Sequence, residues 1–213
     1  MKDQRSLLHR VFEADLALRE AQAEFFTTGT DEQRLEALEV AIDAAWDDPN
    51  PEESTARLMR AAALLGELSG PRACQLLLRL LDHEEPEVRL PAGEALQDLA
   101  YARYAEVARA IEKLIDAGDA LNALAEVPYI LAEIGEPGGV KLCLRLLRHP
   151  SAEVVAAAIE SLANLGDGSI IKQIEPLLKD GRTVALDDDP EAEEALIADL
   201  AAEAIEHLRA LNP

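Results

Sequence analysis

An internal repeat constrains the fold of this chain more than any other feature of its sequence. The segment from Leu77 to Leu99 aligns without gaps on the segment from Cys143 to Leu165, at an offset of 66 residues, or twice 33. A middle copy at 123–134 lies between them, an earlier copy precedes them, and a final copy follows a lengthened turn. A fixed period of about 20–50 residues is typical of arrays in which each repeat is one small structural unit.

Each copy carries two apolar stripes at helical spacing, separated by a short turn. In the second stripe Val88, Ala92, Leu96 and Leu99 follow one another at steps of four, four and three, which places them on one helix face. Apolar residues make up 49% of the chain but aromatic residues only 3%, so Ala and Leu, both strong helix formers, supply much of the core. One helix pair cannot bury its apolar face alone. The sequence therefore predicts an all-α solenoid of stacked antiparallel helix pairs.

The turn residues divide the chain into a helix and an array. We expect an N-terminal helix within 1–30 and a repeat array over 31–213, with an acidic insertion at about 181–190. Pro71, Pro137 and Pro190 are expected in first helical turns, which tolerate a missing N–H. The N-terminal helix either caps the array or docks elsewhere. The predicted helices are 6–26, then the pairs 31–46 with 54–68, 71–82 with 86–100, 104–117 with 119–134, 137–148 with 151–165, and 169–180 with 191–211.

The run from Pro86 to Arg89, followed by Ala92 and Ala95-Leu96, resembles the bacterial HEAT-repeat family, and in particular the short HEAT-like repeats of the phycobilisome-lyase type. The resemblance covers about residues 64–181. It implies a superhelix whose inner, concave side is lined mainly by the second helices of the pairs. It implies no single function, because arrays of this kind serve unrelated tasks.

One position departs from the family pattern. The family carries an arginine in the second helix, which is present here as Arg89. Ala123 stands in its place in the middle copy and Val155 in the following copy. Any ladder of ion pairs between repeats is therefore expected to be interrupted.

The residues that carry metal or catalytic chemistry do not form a recognisable motif. Only His83-Glu84 forms a His-Glu pair, since His149 is followed by Pro150. Cys74 and Cys143 stand alone in apolar runs and are expected to be buried. The acidic cluster at 187–194 lacks the alternating ligands and the glycine of a calcium loop. We expect no metal, no cofactor and no catalytic residue, and hence no enzyme.

The charge of the chain limits its partners. Asp and Glu number 42 and Lys and Arg number 20, which gives a formal net charge of −22. Nucleic acids and anionic lipid surfaces are bound through Lys and Arg, so neither is an expected partner. The first residues are polar and charged, which predicts no membrane insertion and a cytoplasmic location. The charge either serves solubility or attracts a basic protein partner.

These observations favour a non-catalytic interaction scaffold or adaptor that binds a protein partner on its concave face. The alternatives are a subunit of a lyase-like or other enzyme complex, and an inhibitory or immunity protein. Tyr101 and Tyr129 are the strongest contact candidates, because tyrosine is enriched in binding hot spots. The partner-binding residues predicted on successive second helices are Glu94, Gln97, Asp98, Tyr101, Asn122, Glu126, Tyr129, Glu133, Glu160 and Asn164.

Overall fold

The chain folds into an all-α solenoid in the computed structural model, which describes residues 3–185 and 194–212. Two short antiparallel strands, β1 (Thr183–Ala185) and β2 (Glu194–Leu196), and the 3-10 turns Gly168–Ile170 and Glu175–Lys179 complete the described structure. The helices are α1 (Gln4–Thr27), α2 (Asp31–Trp46), α3 (Pro51–Gly66), α4 (Pro71–Leu81), α5 (Pro86–Ala117), α6 (Leu121–Ile134), α7 (Pro137–Leu146), α8 (Ala152–Asn164), α9 (Ile171–Ile174) and α10 (Ile197–Leu211).

Local sequence sets many of the helix boundaries. Thr30 and Gln33 form the capping box that opens α2, each side chain bonding the other's backbone N–H. Pro71 and Pro137 occupy the first turns of α4 and α7, as predicted. Gly135 ends α6 with a φ of 69°, a left-handed conformation that glycine adopts without a steric penalty. These residues mark where individual helices of the array begin or end.

The second and third predicted pairs meet at a kink within α5, which separates two helical parts. The sequence predicts separate helices at 86–100 and 104–117, whereas α5 runs through both. It bends at Arg103, whose φ of −145° and ψ of 48° are not helical. The first part of α5 still follows α4 and the second part precedes α6, and α5 contacts both helices. A kink therefore replaces the predicted turn while the order of the pairs is kept.

One hydrophobic core runs through the array. The buried apolar residues form a single cluster that extends from Leu35 in α2 to Leu208 in α10. Helix α3 packs on α5, α6 on α8 and α8 on α10, so the second helices of the pairs stack directly on one another. The predicted solenoid of stacked helix pairs is confirmed.

Helix α1 stands apart from this core. None of its residues is buried, and Leu8, Val11, Phe12 and Leu16 are exposed. Only Phe25 and Phe26, at its end, pack against the buried cluster. The guanidinium of Arg34 donates to the carbonyl oxygens of Phe25 and Gly29, which fixes the junction with α2. In the structure α1 is attached to the array by its last turn.

The last repeat differs from the sequence prediction. Residues 194–196 form strand β2, where Val184 opposes Ala195, so the prediction of a helix over 191–211 is wrong for this stretch. Helix α10 begins only at Ile197, because the N–H groups of Ile197 and Ala198 donate to the carbonyls of Arg182 and Asp180. Pro190, which was predicted in its first turn, lies outside the described residues. The predicted helix 169–180 is only partly α-helical. The acidic run 187–191 lies outside the described residues.

Arg182 takes the structural place of the missing repeat arginine. Nη1 of Arg89 donates to the carbonyls of His83 and Glu84, at 3.1 and 2.8 Å. At the equivalent turn 66 residues later, Nη1 of Arg182 donates to the carbonyls of His149 and Pro150, at 2.9 and 2.7 Å. The guanidinium comes from the segment before β1 and not from α8, where Val155 is buried.

Removing this guanidinium should destabilise the array. We expect Arg182→Ala to lower the free energy of unfolding by about 1–2 kcal/mol, because two carbonyls lose a charged donor. The hydrogen bonds from Arg182 lower the pKa of Asp180, so this pair stabilises the fold at neutral pH and its contribution disappears as the pH falls through that lowered pKa. Chemical denaturation measures the effect. Arg209→Ala is the control, because Arg209 is exposed and its Nη2 lies 3.9 Å from Oε1 of Glu175. It should change the free energy of unfolding by less than about 0.5 kcal/mol.

Candidate partner-binding groove

A groove of about 1130 Å³ runs over the second helices at the C-terminal end of the array. Helices α6, α8 and α10 form most of it, and the start of α5 and strand β1 close its sides. We call it the inner groove. Its lining residues are Glu84, Pro86, Arg89, Asn122, Ala125, Glu126, Tyr129, Glu153, Ala156, Ala157, Ile159, Glu160, Ala163, Asn164, Val184, Ala185, Leu200, Glu203, Ala204 and His207.

Small side chains shape the floor of the inner groove. Ala125 on α6, Ala156 and Ala163 on α8, and Ala204 on α10 all line it. The distance between packed helices depends on the side chains at their contact, so alanines at these positions leave room above the helix axes. Longer, mostly charged side chains rise from the neighbouring positions of the same helices. The result is a channel with an apolar floor and polar walls.

The structure brings together half of the predicted partner-binding residues. Five of the ten line the inner groove, namely Asn122, Glu126, Tyr129, Glu160 and Asn164. Glu133 lies in an adjoining cavity of about 320 Å³, which Tyr129 and Asn164 also line. The predicted residues therefore form one connected surface on α6 and α8.

The predicted residues of α5 lie outside this groove. Glu94, Asp98 and Tyr101 are exposed one repeat earlier, and Gln97 is half-buried. The amide of Gln97 lies 3.5 Å from the hydroxyl of Tyr101, which in turn lies 3.5 Å from the carbonyl oxygen of Glu133. These four residues continue the surface but do not line the main groove.

Sequence reasoning missed part of the lining. Glu84, Glu153, Glu203 and His207 add charge or a titratable ring, and Val184 of β1 adds an apolar wall. Glu153 has a sequence signal, because it aligns with Glu87 of the earlier repeat. Val184 has none, since the repeat period does not extend into the hairpin.

Tyr129 and Glu160 form the central pair of the inner groove. The hydroxyl of Tyr129 donates to Oε2 of Glu160 at 2.7 Å, across the contact of α6 with α8. Burial raises the pKa of the Tyr129 phenol, and the hydrogen bond to Glu160 with the charges of Glu160 and Glu126 raises it further. The phenol thus remains protonated, and Tyr129 as a whole is still 42% exposed. The pair presents an aromatic surface beside a fixed carboxylate.

The carboxylates of the inner groove outnumber its cations. Among the described lining residues it has five glutamates, Glu84, Glu126, Glu153, Glu160 and Glu203, and one arginine, Arg89. The charge of Arg89 is already engaged, because it donates to two carbonyls and its Nε lies 3.3 Å from Oε1 of Glu126. The groove is therefore an acidic surface.

Other arginines of the array pair with acidic residues away from this surface. Arg72 and Arg79 of α4 contact carboxylates of α2, and Nη1 of Arg79 lies 2.5 Å from Oδ1 of Asp43. Arg145 of α7 contacts Glu112 and Asp116 in the second part of α5. These cations join first helices to one another, so their charge offsets little of the acidity of the inner groove.

Asn122 has a role within the fold. Its side-chain amide donates to the carbonyl oxygen of Asp82 at 3.1 Å, and the backbone N–H of Ala123 donates to the Asp82 carboxylate at 3.2 Å. Ala120 precedes α6 and offers no side-chain cap, so Asp82 satisfies this part of the helix start from the preceding pair. Asn122 lines the groove with its donor already engaged.

Two of the four histidines and both cysteines hold structural positions. Nδ1 of His83 and Nδ1 of His149 each accept a backbone N–H two residues later, at 3.1 Å in both cases. Burial raises the pKa of the Cys143 thiol to about 12 and also raises that of Cys74. Within residues 3–185 and 194–212, no three His, Cys, Asp or Glu side chains are grouped to hold a metal ion.

Comparisons with known proteins identify no family for this chain. No family model matches it, and no curated protein does. The resemblance to bacterial HEAT repeats therefore stays a prediction. In the part of the chain that the structure describes, no helix has both the length and the apolar character needed to cross a membrane.

Similar solved structures include designed armadillo repeat proteins. A computationally designed protein made for modular peptide recognition is 18% identical, with 92% of this chain and 93% of that chain covered and a TM-score of 0.33. A designed armadillo repeat protein in complex with the peptide (KR)4 is 18% identical, with 91% and 94% covered and a TM-score of 0.33. A third is 20% identical, with 98% and 95% covered and a TM-score of 0.34. At these values the likeness carries no argument about what this chain binds.

Proposed function

We propose that this chain is a non-catalytic scaffold or adaptor that holds a basic segment of a protein partner in the inner groove. The observation that carries the proposal is the Tyr129–Glu160 pair, set in a groove lined by five carboxylates and floored by alanines. A partner segment that carries Lys or Arg meets opposite charge along the whole groove.

The chemistry of the pair suits an arginine side chain. A guanidinium can donate two parallel hydrogen bonds to a carboxylate such as Glu160. It also stacks favourably on an aromatic face, which the exposed side of Tyr129 offers. The alanine floor accepts the aliphatic stem of the same side chain. The groove therefore offers contacts both to the charged head of an arginine and to its aliphatic stem.

The excess of carboxylates predicts that the association rate of a basic partner depends on ionic strength. Unpaired exposed charges attract an oppositely charged partner over the Debye length, about 8 Å at physiological salt. Association should therefore be fast at low ionic strength and slower as salt is added. Contacts in the groove, in contrast, set how long the partner stays.

A peptide-binding experiment tests this proposal. The probe is a fluorescent, extended peptide in which arginine alternates with leucine, and a peptide with glutamate in place of arginine is its counterpart. We expect the basic peptide to bind, the acidic peptide not to bind, and Glu160→Lys to weaken binding by about tenfold or more. Fluorescence anisotropy at low and at physiological ionic strength measures both effects.

A charge-matched variant separates the groove from the overall charge. Glu36→Lys makes the same charge change on an exposed position of α2, far from the groove. It should alter binding by less than about twofold. Equal weakening by Glu36→Lys and Glu160→Lys would show attraction to an acidic chain in general and would contradict a site in the groove.

A further inference from the structure

We infer that α1 is a self-association helix that pairs with α1 of a second copy of this chain as an antiparallel coiled coil. This inference does not depend on the inner groove. It rests on the sequence pattern of α1, the exposure of its apolar face and the charges that flank that face.

Six apolar residues of α1 follow a heptad spacing, while Leu8, Phe12 and Leu16 lie outside it. Leu7, Val11, Ala14, Leu18, Ala21 and Phe25 are separated by steps of four, three, four, three and four residues. Alternation of three and four over this many positions is the pattern of a coiled-coil seam. Other helices of the array need a broader apolar face, because each packs against several neighbours.

Apart from Phe25, which packs on the array, the seam is not covered by the part of the chain that the structure describes. Val11 is 60% exposed and Leu18 38% exposed, and no residue of α1 is buried. Most helical stability in proteins comes from the packing of an apolar face. A helix of 24 residues that packs only through its last turn lacks this stabilisation in a monomer. A second α1 supplies it.

Side-chain sizes favour the antiparallel arrangement. In that arrangement Val11 faces Ala21 of the second copy, and Leu18 faces its Ala14, so a large residue meets a small one in each central layer. A parallel pair would instead place Ala14 against Ala14 and Ala21 against Ala21, which leaves gaps between layers of larger residues. Large residues against small ones fill a seam at nearly uniform density.

The charges beside the seam also favour the antiparallel arrangement. Arg10 and Glu24 lie on the same flank, and antiparallel pairing sets each Arg10 opposite Glu24 of the second copy. On the other flank the two Asp15 side chains approach one another, but each has its own Arg19 at 2.9 Å. The two acidic arrays then lie at opposite ends of a helix about 36 Å long, well beyond the Debye length.

Sedimentation of the full chain tests the inference with two matched variants. Val11 and Leu16 are 60% and 59% exposed, but only Val11 lies in the seam. We expect the wild-type chain to sediment as a dimer at micromolar concentration. Val11→Asp should raise the dimer dissociation constant by at least about tenfold, whereas Leu16→Asp should raise it by less than about threefold.

A charge swap tests the direction of pairing without touching the seam. Arg10→Glu should weaken the dimer, and Arg10→Glu combined with Glu24→Arg should restore it, since an antiparallel pair regains both ion pairs. Failure of the double variant to restore the dimer would contradict antiparallel pairing. A monomeric wild-type chain, or equal disruption by Leu16→Asp and Val11→Asp, would overturn the inference. A monomer in which Val11→Asp lowers the melting temperature would show that α1 packs on its own array.

Discussion

Replacing Leu96 by Ala should lower the free energy of unfolding by about 3–5 kcal/mol, the range of a leucine truncated in a closely packed core. Leu96 is 0% exposed and lies in the second helix of its pair, within the continuous apolar cluster. The change removes buried apolar surface and leaves a cavity, because stacked helices on both sides hold the neighbouring side chains in place. Chemical denaturation followed by circular dichroism measures the loss.

The same experiment tests whether the array over 31–213 unfolds as one unit. Because one buried cluster runs from α2 to α10, we expect a single cooperative transition in both the wild type and the variant. Leu90→Ala is the control, since Leu90 lies in the same helix and is 66% exposed. It should cost less than about 0.5 kcal/mol. Two separate transitions after Leu96→Ala would show that the array divides into independent units.

The positions that the repeat specifies were predictable. Leu96 and Leu162 are equivalent in the two clearest copies, and both are fully buried. Helical spacing fixes which face of a helix meets the core, and a fixed period repeats that choice in every pair. The predicted solenoid follows from these two rules alone.

The last repeat was less predictable, because its boundaries depend on contacts distant in sequence. Helix α10 begins where its first N–H groups meet the carbonyls of Asp180 and Arg182, and no local capping residue marks that point. The turn at His149 receives its guanidinium from Arg182, which lies outside the repeat pattern. A periodic pattern cannot reveal a substitute donor that comes from another segment.

The candidate site was predicted as a face of the helices and not as a groove. Helical spacing placed Tyr101 and Tyr129 on the same inner side of successive pairs. Only Tyr129 lines the inner groove, because the hairpin and α10 enclose the space above α6 and α8 and leave α5 more open. The spacing also could not show the hydrogen bond between Tyr129 and Glu160, which joins two different pairs.

Tyr129→Ala should cost about 1–3 kcal/mol in affinity for a basic peptide held in the inner groove, with most of the loss in the dissociation rate. This expectation rests on the proposed function. The substitution removes an aromatic surface from the middle of the groove and leaves Glu160 without its donor at 2.7 Å. The long-range charge of the chain is unchanged, so the association rate should change little. Surface plasmon resonance separates the two rates.

Two further tyrosine variants divide this effect into its parts. Tyr129→Phe keeps the ring and removes the hydroxyl, so it should retain most of the affinity if stacking on the ring holds the peptide. Tyr101→Ala removes a tyrosine that is 60% exposed and lies outside the inner groove, and it should weaken binding less than Tyr129→Ala does. Circular dichroism should show the same helix content in all three variants, because neither side chain is part of the buried core.

The salt dependence of binding separates the contribution of the Tyr129 ring from the contribution of the charges around it. Glu126→Lys reverses one charge of the groove wall and should act mainly on the association rate, with an effect that shrinks as ionic strength rises. The dissociation effect of Tyr129→Ala should persist at high salt, because removal of a buried contact is not screened. If Tyr101→Ala, Tyr129→Ala and Glu126→Lys all bind as tightly as the wild type, the partner does not occupy the inner groove. The contact would then have to lie on α1 or on the first helices of the pairs.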